Sequence, residues 1–171
     1  MKLRGLLLGL IVILPTLCLA ETTADQETCN DDDGTITDRM RACSQIIAEK
    51  GATSSLGFAY RNRGDAFSDT GQWDFAIADE TKAIDLNPQD ATAYNIRAWA
   101  YLKSGNVKQA LADVNKALAI DPKLTDALHT RAETYEAMGM TKEAIDDYHQ
   151  ALAIDPRHED SEEALDRLGV K

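Results

Sequence analysis

The sequence predicts an all-α fold, an α-solenoid of three helix-turn-helix repeats between two capping helices. One observation is a stretch that occurs three times, at residues 71–88, 105–122 and 139–156, with a period of 34 residues. The copies share Gly, Ala, Asp and Pro at equivalent positions. A fixed period in this range indicates a repeat array, in which each unit packs on its neighbours. The second observation is helical spacing of apolar residues on both sides of the array, at residues 37–50 and 159–168.

Each repeat is expected to contain two helices. The first helices are predicted at residues 55–69, 88–104 and 122–138, and the second at 72–86, 106–120 and 141–154. A Gly ends each first helix, where a left-handed backbone is needed: Gly71, Gly105 and Gly139. An Asx-Pro pair follows each second helix and is expected to supply the N-cap and first residue of the next helix: Asn87-Pro88, Asp121-Pro122 and Asp155-Pro156.

The repeat resembles the tetratricopeptide repeat family. The matching residues are a small residue in the first helix (Gly64, Ala98, Ala132), an aromatic three residues later, the turn Gly, two Ala seven residues apart, and the closing Pro. Asn62-Arg63-Gly64 is similar to a variant found in bacterial members. The resemblance implies a right-handed solenoid with repeats at residues 55–88, 89–122 and 123–156.

The segments that flank the repeats are expected to be caps. The helix at residues 37–50 is in phase with the second helices, so residues 21–54 resemble half a repeat that covers the first full one. At the other end, Glu162 and Asp166 put charges where earlier repeats carry packing residues. Residues 157–171 are therefore predicted to be a C-terminal capping helix with a polar outer face. We expect three full repeats between two caps.

Residues 1–20 have the pattern of a secretory signal peptide. Lys2 and Arg4 precede an apolar run, and small residues occupy Cys18 and Ala20, before a cleavage site at Glu21. An uncleaved anchor is the alternative, whereas a lipid anchor on Cys18 would need a small residue in place of Leu17. The pattern predicts a periplasmic or secreted protein.

Cleavage would leave two cysteines, Cys29 and Cys43, in an oxidising compartment. We expect a structural disulfide between them, because a redox-active pair usually has the Cys-x-x-Cys spacing. Closing a loop of about 15 residues stabilises a fold by about 3 kcal/mol.

The acidic turn at residues 30–34 invites comparison with a calcium loop. If Gly34 were the sixth residue of an EF-hand, Cys29 and Met40 would occupy positions that require Asp and Glu, so we favour a solvated turn. The three histidines are isolated and no nucleophile or phosphate-loop motif is present. We therefore predict no metal, no cofactor and no catalytic residues, and we do not expect an enzyme.

The charge of the chain restricts its partners. Removing Lys2 and Arg4 changes the formal net charge from −11 to −13. An acidic surface repels nucleic-acid phosphates and anionic lipid, so neither nucleic acid nor membrane insertion after cleavage is expected. A protein or peptide partner, basic or with an apolar anchor, is the prediction.

One Arg in each repeat has two interpretations. Arg63, Arg97 and Arg131 could form a ladder that binds anions. Each is also followed 16 residues later by an Asp in the second helix: Asp79, Asp113 and Asp147. We favour structural ion pairs within each repeat, with the Arg stem lying on an apolar surface.

The resemblance implies that the first helices line a concave groove for an extended peptide or a partner's helix. By register, this partner-binding groove contains Phe58, Arg61, Asn62, Asn95, Ile96, Trp99, Leu102, His129, Thr130 and Glu133. Family members that clamp a terminal carboxylate use a Lys/Asn/Arg set in these places, which Asp65, Trp99, Asp126 and Glu133 interrupt. Trp99 is either a binding hot spot or a residue that covers a neighbouring helix.

We predict an interaction scaffold or adaptor. The alternative is an assembly chaperone or self-associating subunit of an envelope complex.

Overall fold

The structure of the protein, a computed structural model, describes residues 25–31, 34–49 and 53–170. Its helices, in chain order, are α1 (residues 25–29), α2 (Ile36–Ala48), α3 (Thr53–Asp69), α4 (Trp73–Leu86), α5 (Ala91–Lys103), α6 (Val107–Ile120), α7 (Thr125–Ala137), α8 (Thr141–Ile154) and α9 (Glu159–Arg167). The described ranges contain no strand, and the predicted all-α solenoid is confirmed. The predicted signal segment, residues 1–20, lies outside the described residues.

Helices pack in consecutive pairs, and each pair packs on the next. α3 contacts α4, α5 contacts α6, and α7 contacts α8, while contacts from α3 to α5 and from α5 to α7 align the first helices. Alanine makes this close approach possible, because its small side chain lets helix backbones come together. The alanines shared by the second helices are 0–1% exposed: Ala76, Ala83, Ala110, Ala117, Ala144 and Ala151.

The turns within repeats follow the prediction, whereas those between repeats differ from it. Gly71, Gly105 and Gly139 have φ values of +71°, +83° and +76°, as a left-handed helix end requires. The expectation that Asn87, Asp121 and Asp155 cap the next helix is wrong, because α5, α7 and α9 begin at Ala91, Thr125 and Glu159.

The Asx-Pro pairs form turns instead of caps. The Asn87 side chain accepts a hydrogen bond from the Gln89 N–H at 3.2 Å, and Asp90 N–H donates to Asn87 C=O at 3.1 Å. An Asx side chain that bonds the backbone two residues ahead, with Pro in the second position, favours a tight turn. Asp90 then caps α5 by accepting from Ala93 N–H at 3.1 Å. Asp121 and Asp155 make the equivalent turns.

The three Arg side chains, which we call the arginine ladder (Arg63, Arg97 and Arg131), form ion pairs inside the solenoid. Arg97 donates two hydrogen bonds to Asp113, at 2.7 and 2.9 Å, and a third to Thr81 Oγ1 in the preceding helix pair at 3.0 Å. The other two rungs repeat this arrangement, with Asp79 and Ser44 around Arg63 and with Asp147 and Asn115 around Arg131. This geometry is that of structural pairs rather than an anion site.

Both ends of the array are covered. At the N-terminal end α2 packs on α3, and a disulfide between Cys29 and Cys43, both fully buried, ties α1 to α2. At the C-terminal end α9 packs on α8 through Ala164 and Leu165. Glu162 and Asp166 are exposed on its outer face. Within the described residues, no helix has both the length and the apolar character to span a bilayer.

Candidate functional site

The concave face of the solenoid contains a groove of about 1120 Å³. It runs along α3, α5 and α7 and ends against α9. Of the residues predicted for the groove, those that line it are Arg61, Asn62, Asn95, Ile96, Trp99, His129, Thr130 and Glu133. Asp126, placed at a clamp position by register, also lines it, whereas the predicted set lacks the lining residues Asn30, Thr92, Lys103, Tyr148, His158, Asp160, Glu163 and Arg167.

Two predicted groove residues lie elsewhere. Phe58 packs against the buried cluster around Cys29 and Cys43, because the disulfide-bonded segment covers its side of α3. Leu102 is half-buried and does not line the groove. On α5 the groove positions are separated by three or four residues, so Lys103, four after Trp99, occupies the next position on the stripe.

The N-terminal end of the groove is occupied by the chain itself. Asn62 Nδ2 donates to the backbone carbonyl of Cys29 at 2.9 Å, and Asn30 Oδ1 lies 3.4 Å from the same nitrogen. Asn62 lines the groove as predicted, but its side-chain amide donates to the chain's own N-terminal segment. The carbonyl that it binds belongs to the last residue of α1, which the Cys29–Cys43 disulfide joins to α2.

The centre of the groove is formed by α5 and is open. Asn95 is 8% exposed, lines the groove, and its Oδ1 has no hydrogen-bond partner among the described residues. Trp99 is half-buried, and its ring meets that of Trp73 edge to face with centroids 5.3 Å apart. Lys103 Nζ lies 5.4 Å from the Trp99 ring centroid. Trp99 therefore packs against a neighbouring helix, as one of the two predictions has it, and also lines the groove.

The C-terminal end contains two imidazole rings. His129 and His158 have ring centroids 5.4 Å apart, and His129 Nδ1 lies 3.2 Å from Ser161 Oγ. Burial lowers the pKa of His129, and this outweighs the opposing effect of Glu133, so the ring is neutral at neutral pH.

Tyr148 supports this end of the groove. Its hydroxyl donates to Glu136 Oε1 at 2.6 Å, and Arg167 of α9 binds both oxygens of Glu136 at 2.8 Å. Burial and the bond to Glu136 raise the pKa of Tyr148, so its hydroxyl stays protonated. The contacts therefore link α7, α8 and the capping helix α9.

The groove has the parts of a recognition surface. Within the described ranges, no group of three or more His, Cys, Asp or Glu side chains could hold a metal ion. Ser161 is fully buried beneath His129, where its hydroxyl cannot reach a substrate. The features that the groove presents are a half-buried indole and exposed carboxylates, which can contact the side chains of a bound segment.

Known proteins share the fold. The tetratricopeptide repeat family matches residues 61–124 and 125–158. The Arabidopsis OM64 TPR domain has a TM-score of 0.64 and 32% identity, over 68% of this chain and 97% of that domain. The first TPR of Spaghetti (RPAP3), bound to HSP90 peptide SRMEEVD, has a TM-score of 0.62 and 26% identity, over 66% of this chain and 90% of that one.

The second TPR of Spaghetti (RPAP3), bound to the same peptide, has a TM-score of 0.55 and 26% identity, over 58% of this chain and 92% of that one. No curated protein is similar to this chain at a significant level. The repeat matches and the identity to the Arabidopsis domain give one conclusion: the chain belongs to the tetratricopeptide repeat family.

Proposed function

We propose that this protein is an exported adaptor that binds an extended segment of another protein in the part of the groove formed by α5, α7 and α9. The observation that carries the proposal is the open middle of the groove, where Asn95 and the half-buried Trp99 of α5 line the same surface. An amide supplies backbone hydrogen bonds, and an indole supplies apolar contact area. A relative with the same fold is bound to a peptide, which supports this mode of binding.

The segment occupies only part of the concave face. Because Asn62 is engaged by the Cys29 carbonyl, the partner's backbone lies on α5 and α7 rather than on α3. The partner carries an apolar side chain that packs on Trp99, or basic residues that suit the acidic chain. The protein acts by binding and not by catalysis.

Export is the second part of the proposal. It is supported by the signal-like pattern of residues 1–20 and by the pairing of Cys29 with Cys43, since disulfides persist in oxidising compartments. The mature chain is expected to begin at Glu21 and to contain no free thiol. The intact mass of the exported protein, before and after reduction and alkylation, gives the mature N-terminus and the number of free thiols. Retention of residues 1–20, or alkylation of two thiols without reductant, would contradict it.

The binding proposal is tested by selecting random 12-residue peptides, displayed on phage, on the immobilised protein. Trp99→Ala should reduce the affinity of selected peptides roughly thirtyfold, the loss of about 2 kcal/mol typical of a hot-spot aromatic. Trp73→Ala is the matched control, because it removes the same ring contact from outside the groove. The two variants should have similar urea midpoints, and only Trp99→Ala should lose binding. Equal binding losses, or no peptide enrichment on the wild-type protein, would overturn the proposal.

The alternative function is an assembly chaperone or a self-associating subunit of an envelope complex. The observation in its favour is Phe75, an aromatic side chain that is 60% exposed outside the groove. Self-association would give oligomers whose fraction increases with protein concentration. Sedimentation velocity over a hundredfold range of concentration distinguishes the two functions, because the adaptor sediments as a monomer throughout.

A further inference from the structure

We infer that the C-terminal end of the groove is a subsite for a lysine or arginine side chain of the bound segment. The subsite is formed by Asp126 of α7 and by Asp160 and Glu163 of α9, which line the same groove. This inference rests on the proposed binding of a segment in the groove, and it specifies which residue type is bound and where.

Among the described residues that line the groove, no Lys or Arg side chain is free to bind an acidic segment. Six acidic and three basic residues line it, excluding the histidines. Each basic side chain already has an acidic partner: Arg61 with Asp90 at 2.8 Å, Lys103 with Glu133 at 3.0 Å, and Arg167 with Glu136 at 2.8 Å. An anionic ligand would have to compete with these carboxylates, which would then be left unpaired.

The acidic residues differ between the two ends. Near the N-terminal end, Asp65 and Asp69 both bind Arg39, at 3.4 and 2.5 Å. Near the C-terminal end, no Lys or Arg among the described residues pairs with Asp126, Asp160 or Glu163. The nearest polar contact of Asp126 is His158 Nε2, at 3.3 Å. The uncompensated negative charge is therefore concentrated at the open end.

A second observation connects this charge to a ligand. Asn95 is more than nine-tenths buried and lines the groove, and its Oδ1 has no hydrogen-bond partner among the described residues. Leaving a buried acceptor unsatisfied is unfavourable, and because this oxygen is enclosed, a backbone N–H of a bound segment would satisfy it once the Asn95 side chain turns towards the groove. A segment held at Asn95 and excluded from Asn62 extends from α5 towards α7 and α9. Its side chains then reach the three carboxylates.

A preference for basic side chains would distinguish this chain from a relative whose bound peptide is acidic. The first TPR of Spaghetti (RPAP3) is bound to SRMEEVD, a peptide with three acidic residues and one basic residue. Here the same peptide would bring its acidic residues towards Asp126, Asp160 and Glu163, and like charges repel. SRMEEVD is therefore expected not to bind.

The test analyses the charge of the peptides selected on phage and then measures affinities by fluorescence anisotropy. Selected peptides should be enriched in Lys and Arg, and replacing those residues by Gln should weaken binding. The triple variant Asp126→Asn/Asp160→Asn/Glu163→Gln should weaken binding roughly tenfold, since each exposed pair contributes a few-fold. The loss should shrink at high salt.

The matched control is Asp85→Asn/Glu143→Gln/Asp146→Asn, which removes three exposed charges outside the groove. Its affinity should change less than twofold. Selected peptides without an excess of Lys or Arg, equal losses in the two triple variants, or binding of SRMEEVD as tight as that of the selected peptides would overturn the inference. The first and third outcomes would leave the binding groove itself intact, whereas a failure of any peptide to be selected would overturn both.

Discussion

Glu80 is a carboxylic acid in the core of the first repeat. It is fully buried, and neither of its oxygens has a hydrogen-bond partner among the described residues. The equivalent residues of the next two repeats are Val114 and Tyr148. A Cβ at Gly64 would overlap Glu80 Oε1, which explains why this repeat has Gly where Ala occurs in the others. Burial, and then repulsion from Asp65, raises the pKa of Glu80 well above its ordinary value.

The raised pKa makes Glu80 a source of pH-dependent stability. Because the folded-state pKa exceeds the unfolded value, the stability from the neutral acid is fully present below the unfolded pKa of 4.5 and is lost as pH rises towards the folded pKa. Glu80→Gln should therefore stabilise the protein at pH 7 by about 1 kcal/mol or more, and the gain should shrink near pH 4. Urea midpoints across this range measure the effect, with exposed Glu143→Gln as control. A gain independent of pH would contradict the assignment.

The two partners of an ion pair in the arginine ladder contribute unequally to stability. Asp113→Leu should destabilise the protein by about 3 kcal/mol, and Arg97→Leu by less. Removing the Asp leaves a guanidinium, 16% exposed, whose remaining polar partner among the described residues is Thr81. Leu at position 97 instead keeps the apolar contacts of the Arg stem. The urea midpoints of the two variants, at an unchanged m-value, show which substitution costs more stability. The reverse order would mean that the contacts of Arg97 with Thr81 and with the Tyr94 ring, at 5.7 Å, outweigh the ion pair.

At the scale of elements, the disulfide-bonded segment decides how much of the concave face is available. α1 reaches the first repeat through the Cys29 carbonyl on Asn62, and the disulfide joins it to α2. The N-terminal cap therefore covers the apolar end of the array and also one end of its groove.

Replacing both cysteines by serine should lower the free energy of unfolding by about 3 kcal/mol. Hydrogen exchange should accelerate in residues 25–31 and stay unchanged in α7 and α8, because a solenoid unit contacts only its neighbours. Asn62→Ala, with the disulfide intact, controls for the loss of the Cys29 contact alone. Unchanged exchange in residues 25–31 would show that other contacts hold α1 in place.

For the whole molecule, local periodic signals predicted the architecture. The 34-residue period located every helix pair, and the Arg–Asp spacing of 16 residues located the ion pairs that the structure contains. The predicted starts of the helices that follow the Asx-Pro pairs were wrong. An Asx side chain can either cap a helix or bond within a turn, and the same Asx-Pro sequence is compatible with the cap and with the turn.

Part of the groove could not be predicted because it depends on contacts outside the repeat. The position of Cys29 against Asn62 follows from the path of a segment that has no periodicity. The acidic residues of α9 join the groove only once the capping helix packs as another unit. In contrast, Lys103 could have been found from the four-residue spacing after Trp99, and Glu80 from its alignment with Val114 and Tyr148.

The arginine ladder also has a consequence for how the array loses its structure. Each Arg binds an Asp in its own helix pair and an acceptor in the preceding one, so a rung breaks whenever either of two adjacent units melts. In a linear array such links set the nearest-neighbour coupling, and strong coupling makes the units unfold together. The groove spans several units, so it is expected to persist or disappear in a single transition. A weakened rung would let one end melt while the other end stayed folded, and binding would be lost before most of the helix content.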